Sequence, residues 1–326
     1  MLKEIKPNTD GKNYNFDVII IGGGAAGLTA GIYLSRAKMK TLILNEGTIG
    51  GQMILTHEIA NYPGVENVSG YQLANTMKKQ AKSFGAELRG NIRITAMELE
   101  GEIKTVEVND KDIYTANAVI LATGGKSRTL GVPGEDNFKG RGISYCATCD
   151  GDFFQDKKVI VVGGGNSALE EAVSLTKYAS SLTIVHQFDH FQAFEHAIKE
   201  ASENPKIDFI MESKIVEFIG DEKLSKVKIE NQSTKEITEM DVDGVFIFIG
   251  YVPNTEKFTG KVELNQYGEI VTDNLMNTNV EGVFAAGDTI QKRYRQVTTA
   301  VADGTVAALS AAEYVNNLKK ELAQVG

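Results

Sequence analysis

The sequence predicts an α/β protein made of two Rossmann-like, three-layer (ββα) nucleotide-binding domains, the second inserted into the first. Three observations carry this. A strand–glycine turn–helix–strand unit of about thirty residues occurs twice, at 16–46 and at 157–186. Two more apolar strands, at 118–124 and 245–250, end in glycine and read as exits from one domain to the other. The tail from Thr278 offers a strand, a Gly-Asp turn and an Ala-rich helix but no glycine motif of its own, so it completes the first domain's sheet. The expected division is 1–124 with 251–326 for the first domain and 125–250 for the insert.

Composition bounds the function. The chain has 326 residues, enough for two domains, and 33 glycines, about a tenth against a usual ~7%. A net charge of −9 argues against nucleic acid as a partner. The opening MLKEIKPNTDGKNYN is polar, with no apolar run of signal-peptide length, and no stretch reaches the length of a membrane span. Two cysteines three positions apart do not suit a disulfide-stapled secreted protein. A cytoplasmic enzyme that does not enter membranes is expected.

In the first unit, Gly22 permits a tight turn, Gly24 lets backbone approach a pyrophosphate, and Gly27 lets helix and strand pack closely. Ala25 and Ala26 open the helix whose N–H groups meet the phosphates. Glu46 closes the next strand, where a carboxylate accepts from both hydroxyls of an adenosine ribose and repels a 2′-phosphate. The site therefore suits FAD or NAD. Alternating segments near 91–117 and 207–241 predict small antiparallel sheets.

Chemistry is carried by Cys146-Ala-Thr-Cys149-Asp150. At this spacing one cysteine attacks a substrate disulfide and the other resolves the mixed disulfide, while a neighbouring acid protonates the departing thiolate. Zinc needs four ligands, and there is no second cysteine pair; His186, His190 and His196 could at most complete a site, so no metal is expected. A purely structural bridge over so short a loop stabilises little.

Together, the two glycine units, CATCD in the insert, GGQM at 50–53, NYPG at 61–64 and the GD…RQ tail resemble the low-molecular-weight thioredoxin reductases over nearly the whole chain. The resemblance implies FAD in the first domain, a homodimer, and thioredoxin as substrate. It implies flavin contacts from Gly51, Gln52 and Asn61, from Thr123 and Gly124, from Gly287 and Asp288 at the ribitol–pyrophosphate region, and from Arg295, Gln296 and Val297 at the ring. It assigns Cys149 to the flavin side, Cys146 to attack on thioredoxin and Asp150 to acid/base work. Rotation of the insert about the strands near Gly124–Gly125 and Gly250–Pro253 would let the pair serve both partners in turn.

The second glycine turn, Gly163-Gly-Gly165-Asn-Ser-Ala168, is followed by a strand ending His186-Gln-Phe-Asp-His-Phe-Gln192. NADPH-using members of the family carry an arginine run here that grips the 2′-phosphate; this chain has none, and no carboxylate placed for NADH. The pattern matches the ferredoxin-dependent flavin thioredoxin reductases, which makes reduced ferredoxin the expected donor. Potentials allow it: about −400 mV for low-potential iron–sulfur proteins against about −270 mV for thioredoxin is roughly 6 kcal/mol over two electrons. NADPH or NADH as donor, and a small dithiol or disulfide as substrate, are the competing readings. An acidic ferredoxin needs a basic patch, for which Lys292-Arg293-Tyr294-Arg295 and Lys78, Lys79 and Lys82 are candidates.

Overall fold

The computed structural model describes residues 13–56 and 58–325; most of the polar opening segment, with its expected lack of a leader, lies outside them. The chain divides into two compact units, one of residues 1–126 and 252–326, the other of residues 127–251.

The first unit opens with β1 (Asn13–Ile21), α1 (Ala25–Arg36) and β2 (Thr41–Leu44), then α2 (Gly70–Ser83) and β3 (Glu87–Arg89). A meander follows: β4 (Ile94–Glu98), β5 (Lys104–Val108) and β6 (Asp112–Leu121). The sheet order is β3-β2-β1-β6-β5-β4, parallel through β6 and antiparallel beyond it. β6 is long enough to serve twice: its first half pairs with β5, its second half with a strand from the end of the chain. The run Val18-Ile-Ile-Ile21 is apolar throughout because both faces of β1 are covered. Val18 and Ile20 pack under α1, whereas Ile19 and Ile21 pack against the meander side.

β7 (Gly125–Ser127) leads into the second unit, followed by α3 (Glu135–Phe138), β8 (Ile143–Ser144) and α4 (Ala147–Asp150). Then come β9 (Lys158–Val162), α5 (Asn166–Leu175), β10 (Ser181–Val185), α6 (Glu195–Ser202) and β11 (Ile207–Ile210). The antiparallel strands β12 (Ser213–Gly220), β13 (Leu224–Asn231) and β14 (Ile237–Asp241) precede β15 (Gly244–Ile247). A parallel sheet of order β11-β10-β9-β15-β8 has helices on one face and the β12–β14 meander on the other, each with its own apolar cluster. This is the same three-layer plan as the first unit.

β16 (Tyr251–Pro253) pairs with β7 as the chain returns. β17 (Val283–Ala285) then joins β6, and α7 (Val297–Val325) packs along α1. Contact between those helices is close: a Cβ on Gly304 would lie 2.2 Å from the Ala26 carbonyl oxygen. The tail thus completes the first sheet, as its lack of a glycine motif predicts.

Candidate active site

Cys146 and Cys149 form a disulfide, with Sγ atoms 2.06 Å apart. Cys146 is the N-cap of α4, and its Sγ accepts from the Cys149 N–H at 3.2 Å. After reduction that N–H is placed to stabilise a thiolate on Cys146. Ser144, buried at the end of β8, donates from Oγ to Asp150 Oδ2 at 2.6 Å and accepts from the Cys146 N–H at 3.1 Å. Burial pushes the Asp150 carboxyl above the usual carboxylate range, against the lowering effect of Ser144, and the nearby charge of Asp152 adds to the rise. Tyr145 is tethered on the other side, its hydroxyl donating to the buried Glu135 carboxylate at 2.6 Å. Cys146, Cys149 and Asp150 therefore form one fixed cluster, set by the strand before it and the short helix after it.

The first glycine turn has the shape a pyrophosphate requires. α2 begins with a capping box between Ser69 and Gln72, satisfying its first N–H groups internally. α1 has no side-chain cap at Gly24, so its oriented N–H groups are left for an anion. Gly22 sits at φ +114°, and a Cβ there would fall 2.0 Å from the Ala122 carbonyl oxygen. A Cβ on Gly27 would meet the Gly22 oxygen at 1.9 Å, so Gly27 serves helix–strand contact. Gly24 faces Gly51: the nearest atom to a Cβ on Gly24 is the Gly51 Cα, 3.7 Å away. Ala25 is half-buried at the mouth of this turn, whereas Ala26 is buried against Gly287 and Gly304. Contact between Ala26 and Gly287 brings the Gly287-Asp288 turn beside the start of α1. Asp288 is half-buried, with Oδ1 shielded from solvent; desolvation raises its carboxyl above the usual range, while Lys292 and Arg295 draw it down. Bare glycines, an uncapped helix start and a half-buried carboxyl fit a dinucleotide.

Glu46 is engaged within the chain. Its Oε1 accepts from the Ile94 N–H at 2.9 Å and from the Lys257 ammonium group. Asn45 is the side chain that turns back to the glycines, its Oδ1 accepting from the Gly23 N–H at 2.8 Å. β2 ends at Leu44, and successive side chains beyond a strand point opposite ways, so one position decides which reaches the turn. Asn45 is missed by sequence reading because a carboxylate stands next to it.

Of the remaining first-unit residues, Asn61 meets the start of α7. Asn61 Nδ2 donates to Gln296 Oε1 at 3.4 Å, and Asn61 helps to line an open surface depression formed by residues 60–66. Val297 is the first residue of α7, and Gln52 is exposed on the 3-10 turn 51–55. Thr123 Oγ1 donates to the Asn254 carbonyl at 2.8 Å and lies 3.2 Å from Thr289 Oγ1; Gly124 follows at φ +62°. Arg295 is ion-paired to Glu269 and Lys292 to Asp303, all four largely buried. The basic run 292–295 is thus a correction to the sequence reading: two of its three cations are turned inward and neutralised, leaving Arg293 over the Tyr294 ring. On α2, Lys79 and Lys82 are exposed and Lys78 half-buried, with no ion pair among the described residues.

The second glycine turn is also formed, with Gly163 at φ +140° and no side-chain cap on α5. His186 packs flat on it: a Cβ on Gly164 would lie 2.3 Å from the imidazole. Burial lowers the pKa of that imidazole, which is held by the His190 carbonyl at 3.1 Å and stacked on Phe191. Residues 187–194 are not helical, so His186 and His190 lack the helical spacing of a metal pair. Gln192 N–H donates to the Gly164 oxygen at 2.8 Å, and Phe194 N–H to Asn166 Oδ1 at 2.7 Å. Asp189 in this segment is paired with His190, and Glu212 meets it through its backbone, its N–H donating to the Phe188 carbonyl while its carboxylate accepts from Ser233 Oγ at 2.8 Å.

Comparison with known proteins agrees with this geometry. Residues 16–304 match the family described as pyridine nucleotide-disulphide oxidoreductase. The chain is 47% identical over 307 residues to a thioredoxin reductase of Peptoclostridium acidaminophilum, covering 92% of this chain and 97% of that one. It is 46% identical over 299 residues to the 34.2 kDa protein in rubredoxin operon of Clostridium pasteurianum, with the same coverage. Among solved structures, thioredoxin reductase from Streptococcus pyogenes MGAS5005 superposes with a TM-score of 0.90 at 41% identity, covering 94% of this chain and all of that one.

Proposed function

Because the chain belongs to the pyridine nucleotide-disulphide oxidoreductase family, we propose that it is a thioredoxin reductase fed by reduced ferredoxin, working through Cys146 and Cys149. FAD is the cofactor of these enzymes, and the first unit's glycine turn, the uncapped start of α1 and Asp288 are the residues that would hold it. When bound, FAD supplies the electron pair that opens the disulfide. This chain's residues do the rest. The Cys146 thiolate attacks the disulfide of thioredoxin, forming a mixed disulfide and expelling a thiolate that Asp150 protonates. Cys149 then attacks Cys146 Sγ, which releases thioredoxin's second sulfur as a thiolate, protonated in turn, and restores the 146–149 bond. Two electrons and two protons pass to thioredoxin in all. The working assembly we propose is a homodimer, which light scattering tests.

One observation carries the choice of donor. The second glycine turn keeps its backbone, yet the segment 186–194 after its strand carries Asp189 and no arginine or lysine. A 2′-phosphate finds there none of the several charge-assisted hydrogen bonds, each ~2 kcal/mol, that cations would supply. For an acidic ferredoxin, Lys78, Lys79 and Lys82 of α2 replace the 292–295 run as the basic surface we favour. A second reading, NADPH or NADH as donor, is favoured by the intact turn at Gly163 and the uncapped start of α5. Thioredoxin reduction measured with reduced ferredoxin, NADPH and NADH in separate assays decides. Rapid turnover with NADPH alone overturns the ferredoxin reading. Activity only on small disulfides overturns thioredoxin as substrate.

A further inference from the structure

We propose that Ser144 is a positioning residue for Asp150, holding the carboxyl beside Cys146 in both of its protonation states. This rests on Asp150 acting as the acid/base of the dithiol pair. Ser144 ends β8, whose partner β15 fixes it in register opposite Phe246, so its hydroxyl leaves a rigid backbone. From there Oγ has three partners. It accepts from the Cys146 N–H at 3.1 Å, and its single proton has two acceptors, Asp150 Oδ2 at 2.6 Å and the Cys146 carbonyl at 3.3 Å.

That arrangement is a rotor. With Asp150 ionised, the hydroxyl donates to the carboxylate. With Asp150 protonated, the hydroxyl turns to the Cys146 carbonyl and its oxygen accepts from the acid. The carboxyl stays in place while its proton leaves for, or returns from, a sulfur. Among the described residues no cation acts on Asp150; the charge that does is that of Asp152 in the following 3-10 turn, and it is of like sign. Glu170 and Glu171 on α5, which packs against α4, and Tyr178 beside Gly151 add no positive charge. The hydroxyl is thus the group that stabilises the ionised carboxyl of this half-buried side chain.

The test uses full-length protein reduced with dithiothreitol, freed of it, and alkylated with iodoacetamide over a range of pH, with Cys146 modification followed by mass spectrometry. The inflection due to Asp150 should move up by about one pH unit in Ser144→Ala, a tenfold change in its ionisation. Ser144→Thr, which keeps the hydroxyl, should restore the original inflection. Asp150→Asn should lack it, and adding Ser144→Ala to Asp150→Asn should change nothing more. A Ser144→Ala profile that is merely scaled at every pH, or an equal shift in the Asp150→Asn background, overturns the proposal. An inflection retained in Asp150→Asn overturns the acid/base reading itself.

Discussion

If the second glycine turn is open but lacks cations, supplying them should create NADPH affinity. Gln187 and Gln192 are the positions to change. Both are exposed, and the Gln192 backbone is tied to the Gly164 oxygen at 2.8 Å, so an arginine there starts from the edge of the turn. Gln187 is also anchored, its carbonyl accepting from Gln232 Nε2 at 3.2 Å. Two charge-assisted hydrogen bonds to a phosphate are worth roughly 3–6 kcal/mol when shielded. Exposure and physiological salt reduce this, and Asp189 competes for the guanidinium groups. A net gain of about 2 kcal/mol remains, or roughly 30-fold in Kd. The variant Gln187→Arg/Gln192→Arg should therefore bind NADPH about 30-fold tighter by calorimetry, with NADH affinity unchanged because it lacks the 2′-phosphate. Unchanged NADPH affinity in this variant would refute an open groove, and equal gains for NADH would rule out recognition at this corner.

Three other outcomes follow from the site geometry. Cys149→Ser should retain FAD but reduce thioredoxin at a background rate, with Cys146 titrating as one free thiol; sustained turnover contradicts the pair. Gly24→Ala places a methyl in ordinary contact with Gly51, 3.7 Å away, at an ordinary φ of −82°, so apoprotein melting should hold while FAD affinity drops at least about tenfold. A variant that purifies fully yellow would remove the turn from the cofactor site. For Asp150, burial raises the folded-state pKa above the unfolded value, so the native state binds the extra proton between the two and stability falls as pH rises through that window. Asp150→Asn should therefore melt higher than the parent at neutral pH, with the difference vanishing in acid below the normal carboxylate range. A constant difference across pH argues against the shift.

What the sequence made legible is local. A glycine turn is specified within six residues, because Gly22 must adopt φ +114° and Gly27 must let the helix touch the Gly22 oxygen. The CATCD segment is similar: the disulfide, the capping by Cys146 and Asp150 all lie within five residues. Where the outcome depended on distant chain, reading failed or was blind. Glu46 meets Ile94 and Lys257, which no local pattern announces, and Asn45 reaches the turn through a one-residue change of face. The basic run at 292–295 looked like a surface only while Glu269 and Asp303 were out of view. Ser144 carried no signal, since a serine before a cysteine pair is ordinary until β8 and α4 bring it back to Asp150.

The same distinction bears on the second turn. Its backbone is maintained by local constraints that also hold up the redox pair: Gly163 closes the turn against the Phe248 oxygen, and α5 packs against α4, which carries Cys149. Such a turn can survive without a nucleotide, since removing it would disturb the support of the cysteines. Side chains at 187 and 192 are exposed and support nothing, so only a phosphate would require cations there. Their absence beside a retained turn is thus information about the donor, whereas the turn alone is information about the fold.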